Sequence, residues 1–324
     1  MDLTIKQLQQ RLESQGYICD QDLVITLYLS LKLAKPLLVE GAPGVGKTEV
    51  AKALAGALDT ELIRLQCYEG LDENRALYEW NYQRQLLKIE IARGSCDPAV
   101  LEKDLFDLEY LLERPLLKAI RSEKQVVLLI DEIDKTDPEF EAFLFELLSD
   151  FQISIPEVGT LKAKQIPAVV LTSNGERELS DGLKRRCIYL YIDYPTIEKE
   201  VRILQVKVPQ AREELVHQVV RAVNYIRSHL DLKKKPSIAE TLDWAQALVA
   251  MHVDALTPEI LGQTLNLFLK NRDDQETLKR EVGLSGLLKK IRELEEDATG
   301  PAAVTCHCGH HHLCGGSTHG NRSN

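Results

Sequence analysis

Long hydrophobic runs are missing: no stretch of about 18 uninterrupted apolar residues occurs anywhere in the 324, which excludes a membrane-spanning helix. The segment Met1 to Gln15 is polar, without the basic start and apolar block of a secretory leader, so a cytoplasmic location is expected. Positive charge is not in excess. Forty Lys and Arg stand against fifty Asp and Glu, a formal charge of −10. The pI near 5.4 leaves no global field to gather a phosphate backbone, and nucleic acid becomes a secondary partner class. Cysteine is scarce, and four of the seven (Cys19, Cys67, Cys96, Cys187) stand singly in periodic segments. That pattern fits small buried thiols rather than a disulfide framework. What is present is 44% apolar and 28% charged residues, the profile of a globular chain with material for more than one domain.

Residues 1 to 35 carry two helical patterns, the second capped by Asp20 or Asp22 and ended by Pro36. Short apolar runs follow at Leu37 to Val39, Leu62 to Leu65, Val126 to Ile130, Ala168 to Thr172 and Ile188 to Ile192, with helical patterns between them. Strands apolar on both faces imply a parallel five-stranded sheet flanked by helices, an α/β fold. Residues 66 to 125 form an unusually long connection, and the helical period from Ala99 to Arg121 predicts a helical insertion. Phe151 to Lys162 alternates instead, around a Pro-Glu-Val-Gly turn, which predicts a hairpin. Asp193-Tyr194-Pro195 marks a boundary, beyond which the pattern is helical throughout. The expected organisation is an α/β nucleotide-binding core over 1–195, an all-helical domain over 196–299, and a Cys/His/Gly-rich tail over 300–324 that is expected to be disordered.

Gly41-Ala42-Pro43-Gly44-Val45-Gly46-Lys47-Thr48 fits G-x-x-x-x-G-K-[ST] between a predicted strand and a predicted helix. Glycines there let backbone N–H groups turn inward around phosphates, and the helix N-terminus adds its positive end. Lys47 reaches the outer phosphates, and the Thr48 hydroxyl is a magnesium ligand. The third apolar run ends in Asp131-Glu132, two carboxylates at the C-terminal edge of the sheet, where ligands of open α/β folds sit. Asp131 suits the magnesium shell, and Glu132 suits orienting and deprotonating a water, which favours hydrolysis over transfer. Asn174 ends "AVVLTSN", a strand expected between these two, where its amide would help to position water. Arg185 and Arg186 have no carboxylate in sequence reach, and a neighbouring subunit could use one as an arginine finger.

The ordered set GAPGVGKT, LLIDEIDK, VVLTSN and LSDGLKRRC, followed by helices, resembles the AAA+ ATPases. The stretches CYEGLDENRALYEWNYQRQLL and DPEFEAFLFELLSDFQISIPEVGTL resemble the MoxR group within them, and its CoxD-like branch, associated with carbon monoxide dehydrogenase maturation. The resemblance covers residues 15 to 290. It implies ATP and Mg²⁺, a hexameric ring with nucleotide between subunits, a hairpin inserted in the second helix of the core, and a helical lid. It also implies chaperone-like remodelling of a client metalloenzyme with a von Willebrand factor A partner protein. Motif by motif, Lys47 and Thr48 become phosphate and magnesium ligands, and Asp131 and Glu132 the Walker B pair. Asn174 becomes sensor 1 and Arg186 the finger, with Arg185 the alternate and Arg177 a third candidate.

The family's lid arginine is absent. The corresponding stretch is Pro236-Ser237-Ile238-Ala239-Glu240, so either another residue, such as Lys234 or Lys235, senses the nucleotide or hydrolysis is coupled to lid motion more weakly than in the wider family. The tail holds Cys306, His307, Cys308, His310, His311, His312 and Cys314, of which Cys306, Cys308, His310, His312 and Cys314 are the candidate ligands for zinc or copper. Trp80 and Tyr82 are candidates for client contact. A nucleic-acid motor is the competing reading, and it fits poorly. The insertion sets Glu69, Asp72, Glu73 and Glu79 against Arg75 and Arg84, not the basic channel such a motor needs. A slow nucleotide-gated switch is the third.

Overall fold

The structure, a computed structural model, describes residues 3–92 and 105–299. Helix α1 (Ile5–Ser14) opens on a capping box between Thr4 and Gln7. Helix α2 (Gln21–Leu33) ends on Ala34 in the left-handed region, two residues before Pro36. Then come β1 (Leu37–Gly41), α3 (Lys47–Leu58) and β2 (Leu62–Gln66). The next strand of the main sheet is β5 (Val127–Asp131), buried along its whole length. Helix α7 (Pro138–Asp150) follows, then the hairpin β6 (Gln152–Ile155) and β7 (Gly159–Lys162), turned on Gly159 at φ 93. The sheet closes with β8 (Ala168–Ser173), α8 (Asp181–Arg186) and β9 (Ile188–Ile192).

The five expected strands make one parallel sheet in the order β2-β5-β8-β1-β9. Each parallel pairing needs a crossover, and the helices between the strands cover both faces. Alternation along the strands divides the core in two. Leu38, Leu128, Ile130 and Leu171 face α7 and the hairpin. Leu37, Val39, Val127, Leu129 and Val170 face α1, α2 and α3. The register sets Gln66 beside Asp131 and Glu40 beside Ser173, so the polar strand ends gather at one edge.

Among its described residues the connection from 66 to 125 mixes two short strands with helices, where its periodicity predicts helix. It holds the short helix α4 (Glu73–Ala76), β3 (Tyr78–Trp80), α5 (Tyr82–Ala92), β4 (Leu111–Glu113) and α6 (Pro115–Arg121). Strands β3 and β4 pair antiparallel, Trp80 opposite Leu111 and Tyr78 opposite Glu113. The apolar residues at 111 and 112 satisfied a helical count, but pairing with β3 draws them into an extended ladder. Helix then restarts at Pro115 in its first turn, where the missing N–H costs nothing. The part of the expected helix over 99–104 lies outside the described residues.

From Ile197 every described element is helical: α9 (Ile197–Lys207), α10 (Glu213–His229), α11 (Ile238–Ala250), α12 (Pro258–Phe268), α13 (Arg272–Glu281) and α14 (Leu284–Thr299). Caps at Thr196, Ser237, Thr257 and Asn271 explain the starts of four of them. These helices enclose their own apolar cluster, from Val201 to Ile291. At its centre Trp244 lies against Phe268, ring centroids 4.1 Å apart, and its indole N–H donates to Thr264 Oγ1 at 3.0 Å.

Beside that cluster, Arg227 makes a buried bidentate pair with Glu200, at 2.6 and 2.8 Å, and also donates to Thr241 and to the Pro236 carbonyl. Its guanidinium stacks 5.2 Å from the Tyr194 ring centroid. One side chain therefore ties α9, α10 and α11 to the link that follows β9. The Cys/His tail, with its five candidate ligands, lies outside the described residues.

Candidate functional site

The phosphate loop spans β1 and α3. Gly44 and Gly46 have φ of 78 and 99, the region open to glycine, and Gly46 is the residue before α3. Lys47 is buried and folds back onto its own loop, its Nζ donating to the carbonyls of Gly41 and Ala42 at 2.8 Å each. Burial pushes its amine below the usual range, opposed by the nearby Asp134, Asp131 and Glu132. Phosphate oxygens would replace the two carbonyls as acceptors.

Thr48 Oγ1 donates to Asp131 Oδ1 at 3.0 Å. Asp131 is 2% exposed and also accepts from Thr172 Oγ1 at 2.5 Å and Arg64 Nη2 at 2.5 Å. A hydroxyl and a carboxylate in contact, both hard oxygen donors beside a phosphate loop, fit Mg²⁺, with Thr48 and Asp131 as the protein groups that would hold it. The ion would supply charge neutralisation at the outer phosphates. Glu132 has a left-handed backbone, φ 59 and ψ 51, and its N–H donates to Thr172 Oγ1 at 2.8 Å. A glutamate held there is strained, and the strain sits where the strand gives way to the site. Its carboxylate accepts from Gln66 Nε2 at 2.8 Å and Lys135 Nζ at 2.7 Å. That hydrogen bond with Glu132 also keeps the Lys135 amine charged above its usual range.

Asn174 follows β8, the strand between β5 and β1. Its N–H and that of Glu176 donate to Asp134 Oδ2, both at 3.0 Å, while the other oxygen of this buried carboxylate has no hydrogen-bond partner among the described residues. Asp134 thus holds the turn that carries Asn174. Arg186 is anchored within its own subunit. Its Nε donates to Ser149 Oγ and its Nη1 to the Gly182 carbonyl, both at 2.8 Å, and its guanidinium lies 4.2 Å from the Phe145 ring centroid. Arg185 is exposed and makes no hydrogen bond or ion pair among the described residues. Arg177 pairs with the fully buried Glu141, an engagement within its own subunit like that of Arg186, and leaving that carboxylate unpaired is costly. Trp80 is likewise turned inward, edge-on to Phe106 at 5.3 Å, so packing and not client contact explains it; Tyr82 stays exposed.

The helical part meets the loop directly. The Ala239 N–H donates to the Gly44 carbonyl at 3.3 Å, and a Cβ on Gly44 would collide with the Ser237 side chain. Ser237, Ile238 and Ala239 therefore face the loop without an arginine among them. Lys234 is taken by Glu240 at 3.7 Å. Between the two parts lies a cavity of about 140 Å³, with Ile18, Val45, Ile192, Ile203, Ile238 and Leu242 among its walls. Apolar walls beside a phosphate loop suit the flat ring of a nucleotide base. Gly44→Ala is expected to cost about 1–2 kcal/mol from its left-handed backbone alone. The substitution also forces Ser237 off the loop, read as weaker nucleotide binding by calorimetry. Adding Ser237→Gly should recover the collision part and leave the backbone part.

Arg64 and Gln66 escaped the sequence reading, since no motif marks them and strand register alone brings them to the site. Asp134 and Ser237 lie inside stretches the sequence singles out, but their contacts with the Asn174 turn and Gly44 do not follow from it. The phosphate loop, the Asp131-Glu132 pair and a polar turn after the middle strand, on a five-stranded parallel sheet, define an ATP-hydrolysing enzyme of the AAA+ class. Residues 36–187 match the family profile of the AAA domain (dynein-related subfamily).

Among individual proteins the chain is similar to the gas vesicle ATPase GvpN1 of Halobacterium salinarum, 21% identical over 261 residues, 78% of this chain and 74% of that one. It is similar also to GvpN of Haloferax mediterranei, 24% identical over 211 residues, 62% of this chain and 59% of the relative. The chaperone protein ClpB of Bacillus cereus is 29% identical over 148 residues, 44% of this chain but 14% of that longer one. Of solved structures, the RuvB Holliday junction branch migration motor of Thermotoga maritima aligns with 86% of this chain and 78% of its own. The TM-score is 0.47 and the identity 19%. Among the described residues no helix is long and apolar enough to cross a membrane, and no group of three His, Cys, Asp or Glu side chains is placed to hold a metal.

Proposed function

We propose that this AAA+ ATPase assembles into a ring, a hexamer, and uses ATP hydrolysis for chaperone-like remodelling of a client metalloenzyme. A von Willebrand factor A protein serves as its partner, as in the MoxR group and its CoxD-like branch. Lys47 and Thr48 bind the phosphates and Mg²⁺ with Asp131. Glu132 activates water with help from Asn174, and Arg186 or Arg185 completes a neighbour's site. The observation that carries this reading is the seat of α11 on the phosphate loop through Gly44. With that contact, nucleotide in the loop and the position of the helical lid cannot vary independently, which is how a cycle of binding and hydrolysis becomes movement. An unengaged Arg185 beside an anchored Arg186 supports a finger that acts outside its own subunit.

The test is ATP turnover per subunit against protein concentration, with Glu132→Gln as the inactive control. Specific activity is expected to climb and then saturate, and Arg186→Ala or Arg185→Ala to lower the plateau by about 10³-fold. Activity that is flat with concentration and well above the control would remove the shared site. Binding of ATP without turnover would favour the gated switch. A client and partner should be recovered with the Glu132→Gln form in ATP, and loss of client metal loading in cells lacking the protein should follow.

A further inference from the structure

Arg64 and Gln66 stand two residues apart on β2, so both point to the same face of the sheet, the face of Thr48 and α3. The register that sets Gln66 beside Asp131 brings Arg64 within reach of that carboxylate. Arg64 Nη2 donates to Asp131 Oδ2 at 2.5 Å, and the same nitrogen donates to Gln66 Oε1. The remaining side chains bonded to Asp131, Thr48 and Thr172, are neutral hydroxyls. Among the described residues Arg64 is therefore the one cation bonded to a carboxylate that is 2% exposed. A buried carboxylate without a counter-charge is costly, and a guanidinium and a dication at the same carboxylate repel each other.

We propose that Arg64 is the counter-cation of Asp131 in the nucleotide-free enzyme, and that magnesium arriving with ATP takes its place. This rests on the reading of Asp131 as the magnesium carboxylate. Each binding event then breaks one ion pair, so the gain from magnesium is net of that pair and Arg64 tunes the magnesium requirement. The exchange does not end at Asp131. Arg64 shares its nitrogen with Gln66, and Gln66 Nε2 holds Glu132 at 2.8 Å. Displacing Arg64 loosens Gln66, and with it the hold on the carboxylate that activates water. Arrival of the metal is thereby passed along one strand to the catalytic glutamate.

Arg64 is 49% exposed, so solvent screens the pair and the effect is of a few-fold size. The experiment measures the affinity of the full chain for a non-hydrolysable ATP analogue by calorimetry, in excess EDTA and in excess MgCl₂, at about 0.15 M salt. The ratio of the two dissociation constants is the coupling between metal and nucleotide. Arg64→Gln is expected to raise this ratio about two- to fivefold. Arg64→Lys, which keeps the charge, should hold it near wild type, and Arg64→Gln should change nothing in an Asp131→Asn background. An equal ratio in wild type and Arg64→Gln would overturn the proposal. So would an equal rise in the Asp131→Asn background, which would mark a general field effect. A wild-type ratio near one, or an Asp131→Asn ratio equal to wild type, would instead remove Asp131 as the magnesium carboxylate, and the proposal with it.

Discussion

Glu132→Gln is expected to lower steady-state ATP turnover by about 10²–10⁴-fold while leaving nucleotide affinity near that of wild type. Glutamine keeps the size of the side chain and an oxygen to accept from Gln66 and Lys135, so the strained turn at 132 and the strand beside it should stand. What is lost is the carboxylate that can take a proton from water. Asp131→Asn makes a different kind of variant, since Asp131 is buried and bonded to Thr48, Thr172 and Arg64 rather than placed to accept a proton. Its defect should appear as a raised magnesium requirement. A binding assay run beside the turnover assay separates the two. A Glu132→Gln form that turned over ATP within about tenfold of wild type would mean that another group positions the water.

Arg227→Ala is expected to destabilise the helical part by about 3–5 kcal/mol, the cost of leaving a buried carboxylate without its partner. Glu200 is fully buried and receives both arms of the guanidinium, so nothing else can neutralise it after truncation. The Pro236 carbonyl and Thr241 lose a donor in the same change, and these flank the residues that sit on Gly44. The early loss of helical structure in a thermal melt should therefore be accompanied by weaker nucleotide binding, although Arg227 touches no part of the phosphate loop. Replacing both partners by apolar residues of similar size, as in Glu200→Leu with Arg227→Met, should restore much of the stability. Nucleotide affinity should recover less, because the donor to Pro236 stays absent. A single arginine variant that melts like wild type would show that the pair carries little.

Much of this architecture was legible in order of residues alone. The strands announced themselves as short apolar runs; β9 keeps its expected bounds, while β2, β5 and β8 each end one residue beyond the expected run because that last residue is polar: Gln66, Asp131, Ser173. The insertion was misread for the opposite reason. Its Leu111 and Leu112 carry the right spacing for a helix, but period is a local property, and their conformation was settled by pairing with Trp80 and Glu79 on a strand far back in the chain. Trp80 and Arg177 looked available for the same reason, since nothing in the neighbouring sequence names Phe106 or Glu141 as their partners.

By itself, then, the sequence determined the chemistry that a contiguous segment can supply: a glycine-bearing loop with Lys47 and Thr48, an acidic pair at a strand end, a polar turn at Asn174. Those signals survive because each is made within a few residues, where backbone conformation and side-chain type are coupled directly. Tertiary structure decided which groups hold that chemistry in check. Arg64 and Gln66 reach the acidic pair through strand register, Asp134 holds the Asn174 turn across a strand gap, and Ser237 meets Gly44 across nearly two hundred residues of chain. Such contacts depend on how packed layers close on one another, and distance along the chain carries no trace of them.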